Sequence, residues 1–300
     1  MQPYLGWFFK GMAMGAANVI PGVSGGTIAF ITNIYERFIN ALKSLDLEAL
    51  GLLFKGKIKE LIVKVDFRFL LSVLGGVAVS ILSLAKLLEH LFLNYETLTL
   101  AFFFGLIVAS IIAVGTQIGS WSTSTFAALI IGTAIAIGIA FLPPANANDA
   151  IWYVFLCGIV AVCSMILPGL SGSYILLLMG NYFLVIQAIS GFNLYVILPM
   201  MVGCVVGLLL FSRLLSYLFA HYKSQTIALL TGFVTGSLVI IWPWKTPVYI
   251  PVEDKQKVIG YNWEWPDMNG SFAVALILIL VGFGLVMMIE RAGREKSQRH

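Results

Sequence analysis

Charge is what this sequence has least of. Asp, Glu, Lys and Arg make up 11% of its 300 residues, well under the roughly 25% of a soluble domain, so an ordinary water-soluble globule is excluded. Histidine and cysteine number three each. His90, His221 and His300 are scattered, and Cys157, Cys163 and Cys204 sit in apolar runs without paired spacing, so neither a metal centre nor a disulfide framework organises the chain. Long polar stretches are missing too: the longest, residues 43–66 and 243–270, are too short to bury a core of their own. Apolar residues fill the space, at 60%.

About 20 apolar residues are needed to cross a bilayer. Six runs of that kind lie near residues 67–93, 97–115, 124–142, 194–220, 226–242 and 271–289. The fold class is therefore an all-α polytopic membrane protein, with residues 1–300 as a single membrane domain. At the N-terminus, "MQPYLGWFFKGMAMG" puts aromatic residues before Lys10, the reverse of a signal peptide, so this segment is expected to be retained. Residues 47–65 have the pattern of an amphipathic helix lying on the membrane, its lysines toward anionic lipid. The loop "VIGYNWEWPD" reads as an interfacial aromatic cap. "GMAMG", "GCVVG" and "GFVTG" space small residues four apart, as close helix packing requires.

Two further segments break the apolar pattern in the same way. "NVIPGVSGGT" at residues 18–27 returns 147 positions later within "SMILPGLSGSY". Pro21 then matches Pro168, Gly22 Gly169, Ser24 Ser171, Gly25 Gly172 and Tyr35 Tyr182. Beyond them an offset of 127 matches Gly76 with Gly203, Tyr95 with Tyr222, Thr99 with Thr226, Gly105 with Gly232, Ser110 with Ser237 and Lys86 with Arg213. The offset falls because "KSLDLEALGLLFKGKIKELIVKVDF" in the first half has only "SGFN" as its counterpart. The halves are residues 5–142 and 151–290, each an interrupted segment (5–42 and 151–189) followed by three spans.

Basic residues collect on the cytoplasmic side of a membrane. If each interrupted segment returns to the side it entered from, residues 43–66, the turn at Lys223 and the tail "RAGREKSQR" share one face, while "PPANANDA" at 143–150, without lysine or arginine, lies on the other. That reading makes the segments re-entrant hairpins, the halves inverted repeats and both termini cytoplasmic. The tip of such a hairpin survives only inside protein or beside a water-filled cavity. Pro21 and Pro168 end the first half-helix, Gly22, Gly25, Gly26, Gly169 and Gly172 allow tight backbone, and Thr27 or Ser173 can start the second. Half-helix N-termini suit an anion, and Ser24, Thr27, Ser171 and Ser173 add hydroxyl donors. Paired tips of this kind are the arrangement of an alternating-access transporter. A simple pair of proline kinks is the plainer alternative.

The phrases "NVIPGVSGGTIAFITNIYERFINAL" and "ILPGLSGSYILLLMGNY" resemble the bacterial polyprenyl-phosphate transporter family, long catalogued as a domain of unknown function, DUF-368. The resemblance covers essentially the whole chain. It implies transport of undecaprenyl phosphate, the lipid carrier of cell-wall synthesis, from the outer to the inner leaflet of the cytoplasmic membrane. Lys86 and Arg213 would suit handing the phosphate across, or snorkel to the interface. Arg37 and Glu36 pair with each other or meet the phosphate on the cytoplasmic side, and Glu36 is the candidate for proton coupling. No enzyme activity, metal, cofactor or nucleic-acid partner is expected, and the sequence leaves room for a homo-oligomer. A carrier of small anions on the same fold is the main rival, and a membrane lipid phosphatase a more distant one.

Overall fold

Helices in this chain cross where glycine lets backbone meet backbone. The computed structural model describes residues 3–19, 24–252, 255–268 and 270–297. In chain order these form α1 (Pro3–Val19), α2 (Gly25–Ile31), α3 (Tyr35–Lys43), α4 (Leu47–Phe54), α5 (Ile58–Lys64), α6 (Phe67–Gly115), α7 (Thr123–Ala140), α8 (Ile151–Ile166), α9 (Gly172–Leu178), α10 (Tyr182–Ser190), α11 (Leu194–His221), α12 (Lys223–Ser237), the strands β1 (Lys245–Val252) and β2 (Lys255–Trp263), and α13 (Gly270–Ser297). Phe67–Leu84, His90–Gly115, Thr123–Ala140, Leu194–His221 and Gly270–Met288 are long and apolar enough to cross a membrane, and the bent pair α9–α10 adds a sixth candidate. The protein is a multi-pass membrane protein.

The main helix pairs are α1 with the first part of α6, α8 with α11, α6 with α13, and α7 with α12. A Cβ on Gly11 would strike the Val73 carbonyl at 2.1 Å, and one on Gly76 the Phe8 carbonyl at 2.1 Å. In the second half Gly158 faces the Met200 carbonyl at 2.3 Å and Gly203 the Phe155 carbonyl at 2.1 Å. Each α1 or α8 member of these contacts is 147 residues from its counterpart, and each α6 or α11 member 127 residues. Gly105 and Gly282 do the same for α6 and α13, as Gly232 and Gly132 do for α12 and α7. The spaced small residues of the sequence are these crossing points.

Breaks recur in register as well. Tyr95 interrupts α6 at φ −142°, ψ 43°, and Tyr222 separates α11 from α12 at φ −135°, ψ 48°. Thr99 Oγ1 then donates to the Tyr95 carbonyl and Thr226 Oγ1 to the Tyr222 carbonyl, both at 2.8 Å. At the corners after α2 and α9, Asn33 (φ 57°) and Gly180 (φ 79°) take the left-handed backbone that Asn and Gly adopt most readily.

Contacts sort the loops onto two ends of the bundle. At one end Arg68 bonds Tyr4 at 3.2 Å, Lys223 pairs with Glu36 at 2.8 Å and Gln225 bonds Ser124 at 3.3 Å. At the other end the Ala145 amide donates to the Leu178 carbonyl at 2.7 Å, Asn181 exchanges bonds with Asn148, and Phe141 packs on Trp263 at 4.9 Å. The first end carries Lys43, Lys55, Lys57, Lys59 and Lys64.

Three elements depart from the sequence reading. The single amphipathic helix expected over 47–65 is two, α4 and α5, broken at Gly56 with φ 68°. The span expected over 226–242 is a 15-residue helix ending at Ser237. It is buried along nearly its whole length against α7 and α6, so protein rather than lipid sets its length. The loop 243–270 is a β-hairpin with a bulge after Val248. Pro247 and Pro251, which cannot donate to a ladder, are tolerated because both strands are edges. Trp263 Nε1 anchors the hairpin to the Val239 carbonyl at 3.0 Å, and Lys245 Nζ reaches the Ile240 carbonyl and lies over the Tyr261 ring at 4.3 Å.

Two predictions follow from this packing. Gly76→Val forces α6 off α1 and costs about 1–3 kcal/mol or more, whereas Gly75→Val, with nothing within 4 Å of its Cβ, leaves the thermal midpoint in detergent unchanged. Burial pushes the Lys245 ammonium down to about 8, with Glu96 opposing the shift, from an ordinary value of 10.5. The unfolded chain then holds the proton more readily than the folded one, so stability rises with pH between about 8 and 10.5. The midpoint of unfolding followed by tryptophan fluorescence should show this rise, and Lys245→Met should remove it.

Candidate functional site

The two interrupted segments meet tip to tip. α2 folds back along α1: the Gly25 amide donates to Asn18 Oδ1 at 2.7 Å near one end, and Lys10 Nζ donates to the Thr32 carbonyl at 2.6 Å near the other. α9 folds back along α8 in the same way, with Tyr153 OH donating to the Met179 carbonyl at 2.9 Å, before the chain turns by 110° into α10. Between the tips the Gly169 amide donates to Thr27 Oγ1 at 2.9 Å, Ser24 Oγ to the Met165 carbonyl at 3.3 Å, and Tyr35 OH to the Ile166 carbonyl at 3.1 Å. Gly26 passes so close to the Ile166 carbonyl that a Cβ would lie 2.6 Å from it. Gly169, at φ 85°, sits against the backbone of Phe233 and Val234 on α12.

Helix starts differ from the sequence expectation. Ser24 and Ser171, rather than Thr27 and Ser173, are the N-caps of α2 and α9. In the first tip Ser24 Oγ accepts from the Gly26 amide at 3.1 Å and Thr27 is fully buried. In the second no side chain caps α9, and Ser171 Oγ instead shares a 2.9 Å bond with Ser173 Oγ. The first α2 amides are thus occupied, while α9 presents its N-terminus beside two hydroxyls. Pro168 and Gly172 flank that turn; Pro21 and Gly22 lie outside the described residues.

The cations spread outward from the tips. Arg37 does not pair with Glu36: it grips Asp66 through Nε at 2.6 Å and Nη2 at 3.1 Å, and its guanidinium lies 4.3 Å and 4.5 Å from the Trp7 and Phe69 ring centres. Glu36 pairs with Lys223 at 2.8 Å. A cavity of about 130 Å³ beside Tyr35 is lined by Asn33, Glu36, Gln117 and Lys223. Next to it, and sharing Asn33 and Glu36, a cavity of about 480 Å³ adds Arg37, Asn40, Lys64 and Asp66. The two polar cavities adjoin each other at the basic end of the bundle, and Tyr35, which lines the smaller, is their link to the tips through its bond to the Ile166 carbonyl. Lys86 on α6 and Arg213 on α11 are both exposed, and neither lines these two polar cavities. Among the described residues no cluster of His, Cys, Asp and Glu is placed to hold a metal.

A family profile described as VCA0040-like, undecaprenyl phosphate translocase-like, matches residues 14–259, both tips included. The chain belongs to this family. It is 37% identical to a polyprenyl-phosphate transporter of Vibrio cholerae serotype O1 over 297 residues, 96% of each chain. It is 31% identical to a polyprenyl-phosphate transporter of Staphylococcus aureus over 252 residues, 78% of this chain and 84% of the relative. No solved structure matches it.

The sequence alone assigned no role to Asn18, Asn33 and Asn40, although all three lie inside the first quoted motif, nor to Gln117, which lies outside it. Tyr35 was visible through its match with Tyr182, and Lys223 through its place just after the matched tyrosine break. Thr27 offers the sharpest test of the tip contact. Thr27→Val buries the Gly169 amide without an acceptor and should cost about 1–3 kcal/mol, whereas Thr27→Ser should restore most of the loss in a thermal unfolding assay.

Proposed function

We propose that the protein carries a polyprenyl phosphate across the bacterial cytoplasmic membrane by alternating access, with the headgroup passing between the two hairpin tips. The names of the relatives support the substrate class. The tip-to-tip contact carries the mechanism: the hairpins open toward opposite ends of the bundle and meet in its interior, as inverted repeats of residues 5–142 and 151–290 with re-entrant segments would. The basic end is the cytoplasmic face in this reading, and it holds both termini.

The two ends are in different states. At the basic end α3 packs on α11: Lys43 Nζ donates to Ser216 Oγ at 3.1 Å, Ser216 Oγ to Asn40 Oδ1 at 2.9 Å, and the Tyr35 and Phe219 rings sit 5.9 Å apart. Their register counterparts are α10 and the first part of α6, which make no comparable packing. Phe183, Ile186 and Ile189 on α10 are exposed instead. In this reading the cytoplasmic end is the closed one, and Ser171 and Ser173 at the start of α9 are the hydroxyls that a phosphate arriving from outside would meet. Moving the headgroup inward would require α3 to leave α11. Then Arg37, Lys64 and Lys223, now held by Asp66, by Asp46 and Glu48, and by Glu36, could exchange those carboxylates for phosphate. A proton on Glu36 would remove the Lys223 pair and ease that opening.

A liposome assay separates this reading from its rivals. Wild-type protein should equilibrate polyprenyl phosphate between leaflets, and Ser171→Ala with Ser173→Ala should slow it by about tenfold or more, the loss of one charge-assisted contact, with unchanged thermal stability. Unchanged rates would remove the tips from the mechanism. Preferential efflux of inorganic phosphate would indicate a small-anion carrier, and phosphate released from the lipid would indicate an enzyme.

A further inference from the structure

The stretch that only the first half carries builds a further cavity. Helices α4 and α5 pack on each other and, through α5, on the start of α6, but on no other helix to a similar extent. They stand away from α11 and leave a space of about 700 Å³ walled by Leu50, Leu53, Leu61, Ile62 and, from α11, Leu209. That is the size of a small-molecule site, roughly 300–1,000 Å³, with almost purely aliphatic walls. Two charged residues line it, Asp46 and Arg213. Asp46 is held by Lys64 at 3.1 Å, while no carboxylate pairs with Arg213 among the described residues. An aliphatic slot with one uncommitted cation suits a long apolar chain bearing an anionic head.

The slot also adjoins the larger polar cavity. Along residues 64–67, Lys64 and Asp66 line the polar cavity and Val65 and Phe67 the apolar one, a division permitted by the left-handed turn at Asp66, φ 47°. A bilayer phospholipid would have no need of that continuity; a transported lipid would. Lys86, the register counterpart of Arg213, has no such helical pair beside it, because the second half lacks the insertion.

We propose that the α4–α5/α11 cavity holds the isoprenoid chain of the lipid phosphate at the cytoplasmic leaflet, with Arg213 at its anionic head. This rests on the carrier reading above. Arg213 then serves as a docking residue on one face only, and the insertion makes the two ends of an otherwise repeated fold unequal.

The test uses full-length protein in vesicles containing a polyprenyl phosphate with a photoreactive group in its isoprenoid chain. Labelled peptides should map to residues 45–67 and to the neighbourhood of Leu209. Unlabelled polyprenyl phosphate should compete about tenfold better than phosphatidylglycerol, and Leu53→Trp and Arg213→Gln should each lower labelling by about tenfold, whereas Ile130→Trp on the outside of α7 should not. Labelling confined to other segments, or equal competition by phosphatidylglycerol in the wild type, overturns the proposal. Leaflet exchange is measured in the same vesicles. Exchange without α4–α5 labelling refutes the chain site and leaves the carrier; labelling without exchange refutes the carrier and leaves the site.

Discussion

Backbone polar groups at the turn of a membrane hairpin have to find partners, and hydrocarbon offers none. In this protein the second tip finds them on the first, whose own amides at Gly25 and Gly26 are held by Asn18 and Ser24. Thr27 accepts the Gly169 amide, and Ser24 and Tyr35 satisfy carbonyls at the end of α8. The second half would not be expected to hold its broken helix in a bilayer alone, which is a physical reason for the two halves to stay together in one chain. The glycine crossings serve the same end: they bring α1 against α6 and α8 against α11 closely enough to hold the hairpins in place.

The bonds across the tip interface run one way, from side chains of the first half to the backbone of the second. Thr27 and Tyr35 serve the second tip, and among the described residues their register counterparts Tyr174 and Tyr182 make no matching bonds to the first: Tyr174 OH bonds the Ala140 carbonyl at 3.2 Å instead. α3 is drawn onto α11 on the side where these bonds form, and α10 is left with an exposed apolar face on the side where they do not. In the proposed mechanism, an exchange of roles between the halves would change which end is closed without altering either half internally.

Much of the architecture could be read from the residues, because duplication leaves matched glycines, prolines and tyrosines at fixed offsets. The offsets of 147 and 127 recur in the glycine contacts, in the Tyr95 and Tyr222 breaks and in the Asn33 and Gly180 corners. What could not be read was pairing. Arg37 has Glu36 beside it in sequence, but on a helix adjacent residues point apart, and Asp66 reaches it after the insertion folds back. The caps fell to Ser24 and Ser171 because an N-cap must precede the helix in extended backbone, and Thr27 lies one turn inside. The α4–α5 cavity was hidden because an amphipathic pattern shows which side is apolar and not what that side faces. The β-hairpin depends on two tryptophan anchors that only the fold brings to the ends of α12 and β2.

The central claim is that the two ends alternate around joined tips. Spin labels at Asn40→Cys with Ser216→Cys report α3 against α11, and labels at Gln187→Cys with Glu89→Cys report the register-matched pair of α10 and α6. Distance distributions in vesicles with and without polyprenyl phosphate should move in opposite directions, the first pair separating as the second closes. Two pairs that lengthen and shorten together, or that stay fixed while lipid crosses, would contradict the account.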